Sequence, residues 1–161
     1  MINICLTENL RFALKVNNID VKDYVPAYNG ESAGLDLFNA GDKVTILPQS
    51  VLPKNKKALI GTGLKMQVPS GYVALIQERG SITKTPLKVR AGVIDSGYTG
   101  EVFVNLVNVG SEEFILDSNI KLPVQVVVVK CDNQFSIIDE DEYLNITESS
   151  QRKRGKIGSS D

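Results

Sequence analysis

Turn signals recur about every ten residues along most of this chain, and between them stand short runs of β-forming residues. Val44-Thr45-Ile46-Leu47 ends at Pro48, and Ala58-Leu59-Ile60 leads into Gly61 and Gly63. Leu64-Lys65-Met66-Gln67-Val68 alternates, Pro69-Ser70-Gly71 supplies a turn, and Tyr72-Val73-Ala74-Leu75-Ile76 returns. That pattern predicts a hairpin, with proline presetting φ and glycine allowing a positive one. Phe12-Ala13-Leu14-Lys15-Val16 predicts the first short strand. Residues 102–108 alternate less cleanly, and the β-branched run 126–129 predicts a strand buried on both faces. The six prolines fall at predicted strand ends or loops. With no sustained helical periodicity, this punctuation implies an all-β sandwich or barrel.

The 161 residues fit one domain with a core able to fold alone. Lys+Arg 18 against Asp+Glu 19 gives a net charge of -1, which argues against a general nucleic-acid or membrane-surface binder. The count of histidines is 0. That excludes Ser-His-Asp and Cys-His catalysis and imidazole zinc sites, so proton chemistry falls to carboxylates, Lys, Tyr or Cys. Cys5 and Cys131 share no metal-type spacing and read as reduced, partly buried residues of a cytoplasmic chain. The first ten residues carry Glu8 and lack the apolar run of a signal peptide. No stretch approaches the ~18 apolar residues of a membrane helix. The sequon Asn145-Ile146-Thr147 therefore has no secretory context.

The C-terminal part changes character. Asp139, Glu140, Asp141 and Glu142 are consecutive acids, and residues 151–161 combine Arg152, Lys153, Arg154 and Lys156 with glycine and serine. Lacking apolar residues to pack, this part reads as a flexible arm, which divides the chain into a barrel domain over 1–138 and an arm over 139–161. A basic Gly/Ser segment is also chemically suited to folding over phosphates.

Three segments combine glycine, charge and hydroxyls: Ala33-Gly34-Leu35-Asp36-Leu37, then Glu78-Arg79-Gly80-Ser81, then residues 91–101 with Gly92, Val93, Ile94, Asp95, Ser96, Gly97, Tyr98, Thr99, Gly100 and Glu101. Each alone is a common turn or loop. Taken in order, with Gln125 before a valine run and a terminal Arg/Gly/Ser segment, they resemble the five motifs of the trimeric dUTP pyrophosphatase (dUTPase) family. The resemblance runs from about Leu10 to the C-terminus, and residues 61–72 are similar to the family's central hairpin.

The resemblance implies a jelly-roll-like β-barrel that hydrolyses dUTP to dUMP and pyrophosphate by water attack at the α-phosphorus, with Mg²⁺, as a homotrimer with shared sites. Its cellular role would be to keep uracil out of DNA and supply dUMP. In that frame Asp95 is the base that activates water, a carboxylate being the natural base in a chain without histidine. Residues Gly92, Val93 and Ile94 present a backbone edge to uracil, and Tyr98 lies against the deoxyribose and blocks a 2′-OH. Asp36 holds Mg²⁺ through water. Arg79, Gly80 and Ser81 contact the phosphates, and Gln125 bonds near the attacking water. Arg152, Arg154, Ile157, Gly158, Ser159 and Ser160 form the closing tail.

Three motifs depart from the family pattern. The second commonly reads Arg-Ser-Gly and here reads Arg79-Gly80-Ser81. The fourth usually has a basic residue three before the glutamine, where Leu122 stands, with Lys121 one earlier. In the fifth, Ile157 takes the place of a phenylalanine that stacks on uracil, and a weaker lid would raise KM or slow closure. Two further readings stay open on the sequence: a catalytically weakened binding or regulatory protein of the same fold, and a relative of dCTP deaminase.

Overall fold

The computed structural model describes residues 2–24, 31–51, 58–132 and 134–149. Among them ten strands and two α-helices follow in the order β1 (Asn3–Leu6), α1 (Glu8–Val16), β2 (Gly34–Phe38), β3 (Val44–Ile46), β4 (Ala58–Gln67), β5 (Tyr72–Glu78), β6 (Leu87–Val89), β7 (Val93–Ile94), β8 (Glu101–Asn108), β9 (Phe114–Leu116), β10 (Lys121–Lys130) and α2 (Glu140–Ser149). One sheet has the order β1-β4-β8-β6, the other β2-β10-β5-β7, and β3 pairs with β9. All pairings between these strands are antiparallel. This is the all-β architecture that the turn spacing implies, in the jelly-roll-like form that the resemblance implies.

The two sheets enclose one core. β8 sends Val102, Val104 and Leu106 inward, and β10 sends Leu122, Val124 and Val126. Each set has the period of two that a half-buried strand requires. Asn39 and Asn108 are buried polar exceptions whose amides donate to loop carbonyls: Asn39 to Asp42 and Asp117, Asn108 to Ile46 and Glu112. Those bonds fix the entries and exits of the β3–β9 ribbon.

Five expectations are corrected. Residues 12–16 are the second half of α1, not a strand. Leu10, Ala13 and Leu14 are fully buried at i, i+3, i+4 spacing, and a window opening at Phe12 misses the first of them. Thr7 caps the helix by accepting from the Leu10 N–H. At the other end Asn18 has φ 57, and the Ile19 and Asn18 N–H groups donate to Leu14 and Lys15 carbonyls, which is a Schellman closure with asparagine in glycine's usual place.

The second correction concerns the hairpin expected over 64–76. The turn forms, with Gly71 at φ 79 and the Tyr72 N–H donating to the Pro69 carbonyl. Yet β4 and β5 lie in different sheets. The buried residues Leu64 and Met66 of β4 and Ala74 and Ile76 of β5 belong to the core between the sheets, so the turn carries the chain across the sandwich. Local turn chemistry specifies a reversal and says nothing about which strand edge pairs.

Third, the run 126–129 is not buried on both faces in the single chain, since Val126 is buried and Val129 is exposed. Fourth, residues 140–149 of the expected arm are helical. Asp139 Oδ1 accepts from the Glu142 N–H at 2.8 Å, and three acids in the first turn favour the helix N-terminus. Cys5, expected to be partly buried, is exposed on β1. No helix among the described residues is long and apolar enough to cross a membrane.

Candidate active site

β2 and β10 place the first and fourth motifs side by side. Asp36 and Gln125 are direct cross-strand partners. Between Lys121 and Gln125 the register slips, so that Leu122, Pro123 and Val124 stand opposite the single residue Leu37. Proline is tolerated there because a bulge does not need its N–H. Arg79 joins the same point, as its N–H donates to the Pro123 carbonyl at 3.0 Å.

This framework gives Asp36 two cations. Arg79 Nε lies 2.8 Å from one carboxylate oxygen, and Lys121 Nζ lies 2.9 Å from the other. The Arg79 pair uses Nε, while four of the guanidinium's five N–H donors sit on the terminal nitrogens. Beneath the carboxylate, the buried Tyr24 hydroxyl donates to the Asp36 carbonyl at 2.7 Å, and its ring meets Phe38 edge-on. Burial, and then the charge of Asp36, hold the Tyr24 phenol well above the ordinary tyrosine range. Asp36, Arg79, Lys121, Gln125, Tyr24 and Gly34 line a cavity of about 450 Å³. Two of these were missed by sequence reading. Tyr24 carries no motif signal. Lys121 could have been found from strand parity, since residues 121 and 125 share a face whereas 122 points into the core.

Ser81 falls on the far side of that wall. It lines a separate groove with Thr85 and Pro123, which Arg79 and Lys121 also border. Gly80 is exposed, and a Cβ there would meet nothing within 4 Å, so this glycine is not sterically required.

The third motif builds a second cavity of about 320 Å³, lined by Gly92, Val93, Ile94, Asp95 and Tyr98 together with Leu59 and Phe103. Ala91 enters it in the left-handed region, at φ 53. The Gly92 carbonyl accepts from the Ile76 N–H at 2.8 Å, and a Cβ on Gly92 would come within 3.0 Å of the Ile76 carbonyl oxygen. This close approach favours glycine, since a side chain would make the Ile76 backbone give way. Among the described residues β7 pairs only with β5 and is the edge of its sheet, so its outer backbone edge faces away from the ladder. The Asp95 carbonyl, rather than its carboxylate, closes the turn by accepting from the Tyr98 N–H at 3.0 Å. Asp95 is exposed. Among the described residues no hydrogen bond or ion pair engages its carboxylate, so turn capping does not explain it.

The structure therefore gathers Asp36, Arg79 and Gln125 in one cavity and Asp95, Tyr98 and residues 92–94 in another, and no residue lines both. Arg152, Arg154, Ile157, Gly158, Ser159 and Ser160 lie outside the described residues.

Known proteins resemble this chain in sequence and in fold. The dUTPase family model matches residues 21–161. The deoxyuridine 5'-triphosphate nucleotidohydrolase of Burkholderia cenocepacia is 35% identical over 156 residues, covering 93% of this chain and 97% of its own. That of Chlamydia felis is 32% identical over 139 residues, covering 83% and 90%. Among solved structures, a mutant dUTPase of Staphylococcus bacteriophage 80alpha with dUpNHpp superposes with a TM-score of 0.72 at 22% identity, covering 99% of this chain and 98% of its own. A mutant dUTPase of phage phi11 of S. aureus, described with a structural Mg(II) ion, gives 0.66 at 24% identity over 87% and 97%. With a family model spanning nearly the whole chain, and relatives matched almost end to end, the chain belongs to the dUTPase family of nucleotide hydrolases.

Proposed function

We propose that the chain hydrolyses dUTP to dUMP and pyrophosphate, with Asp95 as the base. The observation that carries this reading is the third motif: an exposed carboxylate, uncommitted to the turn that presents it, opening beside a glycine-lined backbone edge. Uracil would hydrogen-bond to that edge, and the backbone's own close approach to the base would leave no room for a 5-methyl group. Asp95 takes a proton from water. The water oxygen bonds to the α-phosphorus, the bond from phosphorus to the bridging oxygen breaks, and pyrophosphate leaves with that oxygen's electron pair. Arg79 and Lys121 offset charge on the phosphates, and Gln125 orients water by its amide.

Mg²⁺ enters this reading as part of the substrate. Among the described residues no group of three or more His, Cys, Asp or Glu could hold a metal ion. Asp36 already has a cation at each oxygen, yet each oxygen keeps a further lone pair for a water. That donor set suits an ion held mainly by phosphate oxygens and touched through water, rather than a protein cage.

The division between two cavities supports a homotrimer in which one copy supplies the third motif and another the Asp36 cavity. The tail carrying Arg152, Arg154, Ile157, Gly158, Ser159 and Ser160 would close over the triphosphate, so truncation after Ser150 should keep the fold and lose most turnover. The test is pyrophosphate release from each deoxynucleoside triphosphate with Mg²⁺, by wild type and Asp95→Asn. Release from dUTP alone, lost in the variant, is expected. A folded wild type without it would end the reading, and ammonia release from dCTP would replace it with the deaminase one.

A further inference from the structure

Glu101 joins two places in the fold that the proposed mechanism leaves unexplained. Its carboxylate Oε1 accepts from the Gly63 N–H at 2.9 Å, inside a bulge where Thr62, Gly63 and Leu64 of β4 stand opposite Val102 alone. The bulge leaves the ladder broken, and side chains satisfy it: Thr62 donates to the Val102 carbonyl, and Glu101 takes the Gly63 N–H. Room for that carboxylate comes from Gly61, where a Cβ would sit 2.9 Å from Oε1. The same residue's backbone carbonyl accepts the Tyr98 hydroxyl at 2.5 Å. The Tyr98 ring also lies across Gly100, where a Cβ would stand 2.7 Å from the hydroxyl oxygen and 2.8 Å from Cζ.

The Tyr98 hydroxyl is thus held by the Glu101 carbonyl, the ring fills space that only glycine at position 100 leaves open, and Glu101 is itself tied to β4. We infer that Glu101 and Gly100 are positioning residues for sugar selection: they set where the Tyr98 ring stands, and through it the exclusion of a ribose 2′-OH. The inference rests on the dUTPase reading, in which the family resemblance lays Tyr98 against the deoxyribose. A steric gate rejects a hydroxyl only while its wall stays in place, and this wall stands where the Glu101 carbonyl holds the Tyr98 hydroxyl and where Gly100 leaves room for the ring.

The experiment combines two readouts on the full chain. Labelling with 3-fluorotyrosine gives ¹⁹F resonances for the five tyrosines, and Tyr98→Phe identifies the one from Tyr98. Kinetics give the ratio of kcat/KM for dUTP over UTP, which does not depend on the folded fraction because both substrates meet the same sample. Glu101→Ala should move the Tyr98 resonance and lower the ratio about tenfold. Glu101→Gln keeps an oxygen for the Gly63 N–H and should restore both. Gly100→Ala, which crowds only the ring, should move the same resonance and lower the ratio should Glu101→Ala not fold. An unmoved Tyr98 resonance in Glu101→Ala and Gly100→Ala overturns the inference. A moved resonance with an unchanged ratio overturns the reading of Tyr98 as the sugar gate, and sugar selection with it.

Discussion

Gln125 Oε1 lies 2.7 Å from the point where a Cβ on Gly34 would stand, so the glutamine side chain occupies space that only glycine leaves open. The Val126 carbonyl oxygen is 2.8 Å from the same point, which means that swinging the glutamine away would not suffice. Gly34→Ala should destabilise the fold by about 1–3 kcal/mol, the usual cost of overpacking, and lower turnover at least as far as Gln125→Ala does. Gly80→Ala, with open space around it, should stay within about 0.5 kcal/mol of wild type. Urea denaturation and steady-state kinetics on the three variants check this contrast.

Lys121, and not residue 122, is the basic side chain beside Asp36 in the cavity. Lys121 reaches Asp36 because strand parity sets it on the face that carries Gln125, whereas Leu122 is fully buried. Lys121→Leu should raise KM for dUTP by about tenfold with little change in kcat, since it removes charge that the substrate meets on binding. Adding Leu122→Arg should not restore it. That change points a charge into the core, and a loss of about 4 kcal/mol or more in unfolding free energy is expected. Rescue of KM by the double variant would show that the two positions are interchangeable.

The same residues show what the sequence could and could not disclose. The site motifs were legible because each is local: a glycine where the backbone approaches Ile76, an aspartate on a turn, an arginine at a strand end. The pairing of distant segments was not. Residues 64–76 read as a hairpin because proline and glycine mark a reversal, but the core between the sheets decides that β4 pairs with β8 and β5 with β10. α1 was hidden by its brevity, since a nine-residue helix offers one buried triplet and both Phe12 and Val16 are exposed. Tyr24 was hidden because one buried hydroxyl on the Asp36 carbonyl leaves no pattern in the chain.

Tyr24 gives a pH-dependent prediction. Its phenol loses its proton less readily in the folded chain than in the unfolded one, through burial first and the Asp36 charge second. A group raised in the folded state contributes stability that is fully present below its unfolded value, about 10, and is lost as pH climbs from there through the higher folded value. Wild type should therefore lose stability above about pH 10 more steeply than Tyr24→Phe, which lacks the group. At neutral pH the variant should be less stable by about 1–2 kcal/mol, because the Asp36 carbonyl loses its donor. Urea midpoints from neutral to alkaline pH test both halves. Parallel curves would mean that the phenol titrates alike in both states.

The separation of Asp95 from the Asp36 cavity makes a stronger prediction about assembly. If each working site takes the third motif from one copy and Arg79 with Gln125 from another, two inactive variants can complement each other. Asp95→Asn and Arg79→Ala should each be nearly inactive alone. Co-expressed in equal amounts and assembled at random, they should yield sites with both wild-type parts about a quarter of the time, from one half times one half. Turnover should then recover to about a quarter of the wild-type value per chain. If instead both parts of a site came from one chain, every site would carry one lesion and mixing would recover nothing. The outcome distinguishes the two arrangements whether or not the tail crosses between copies, because neither variant alters residues 151–161.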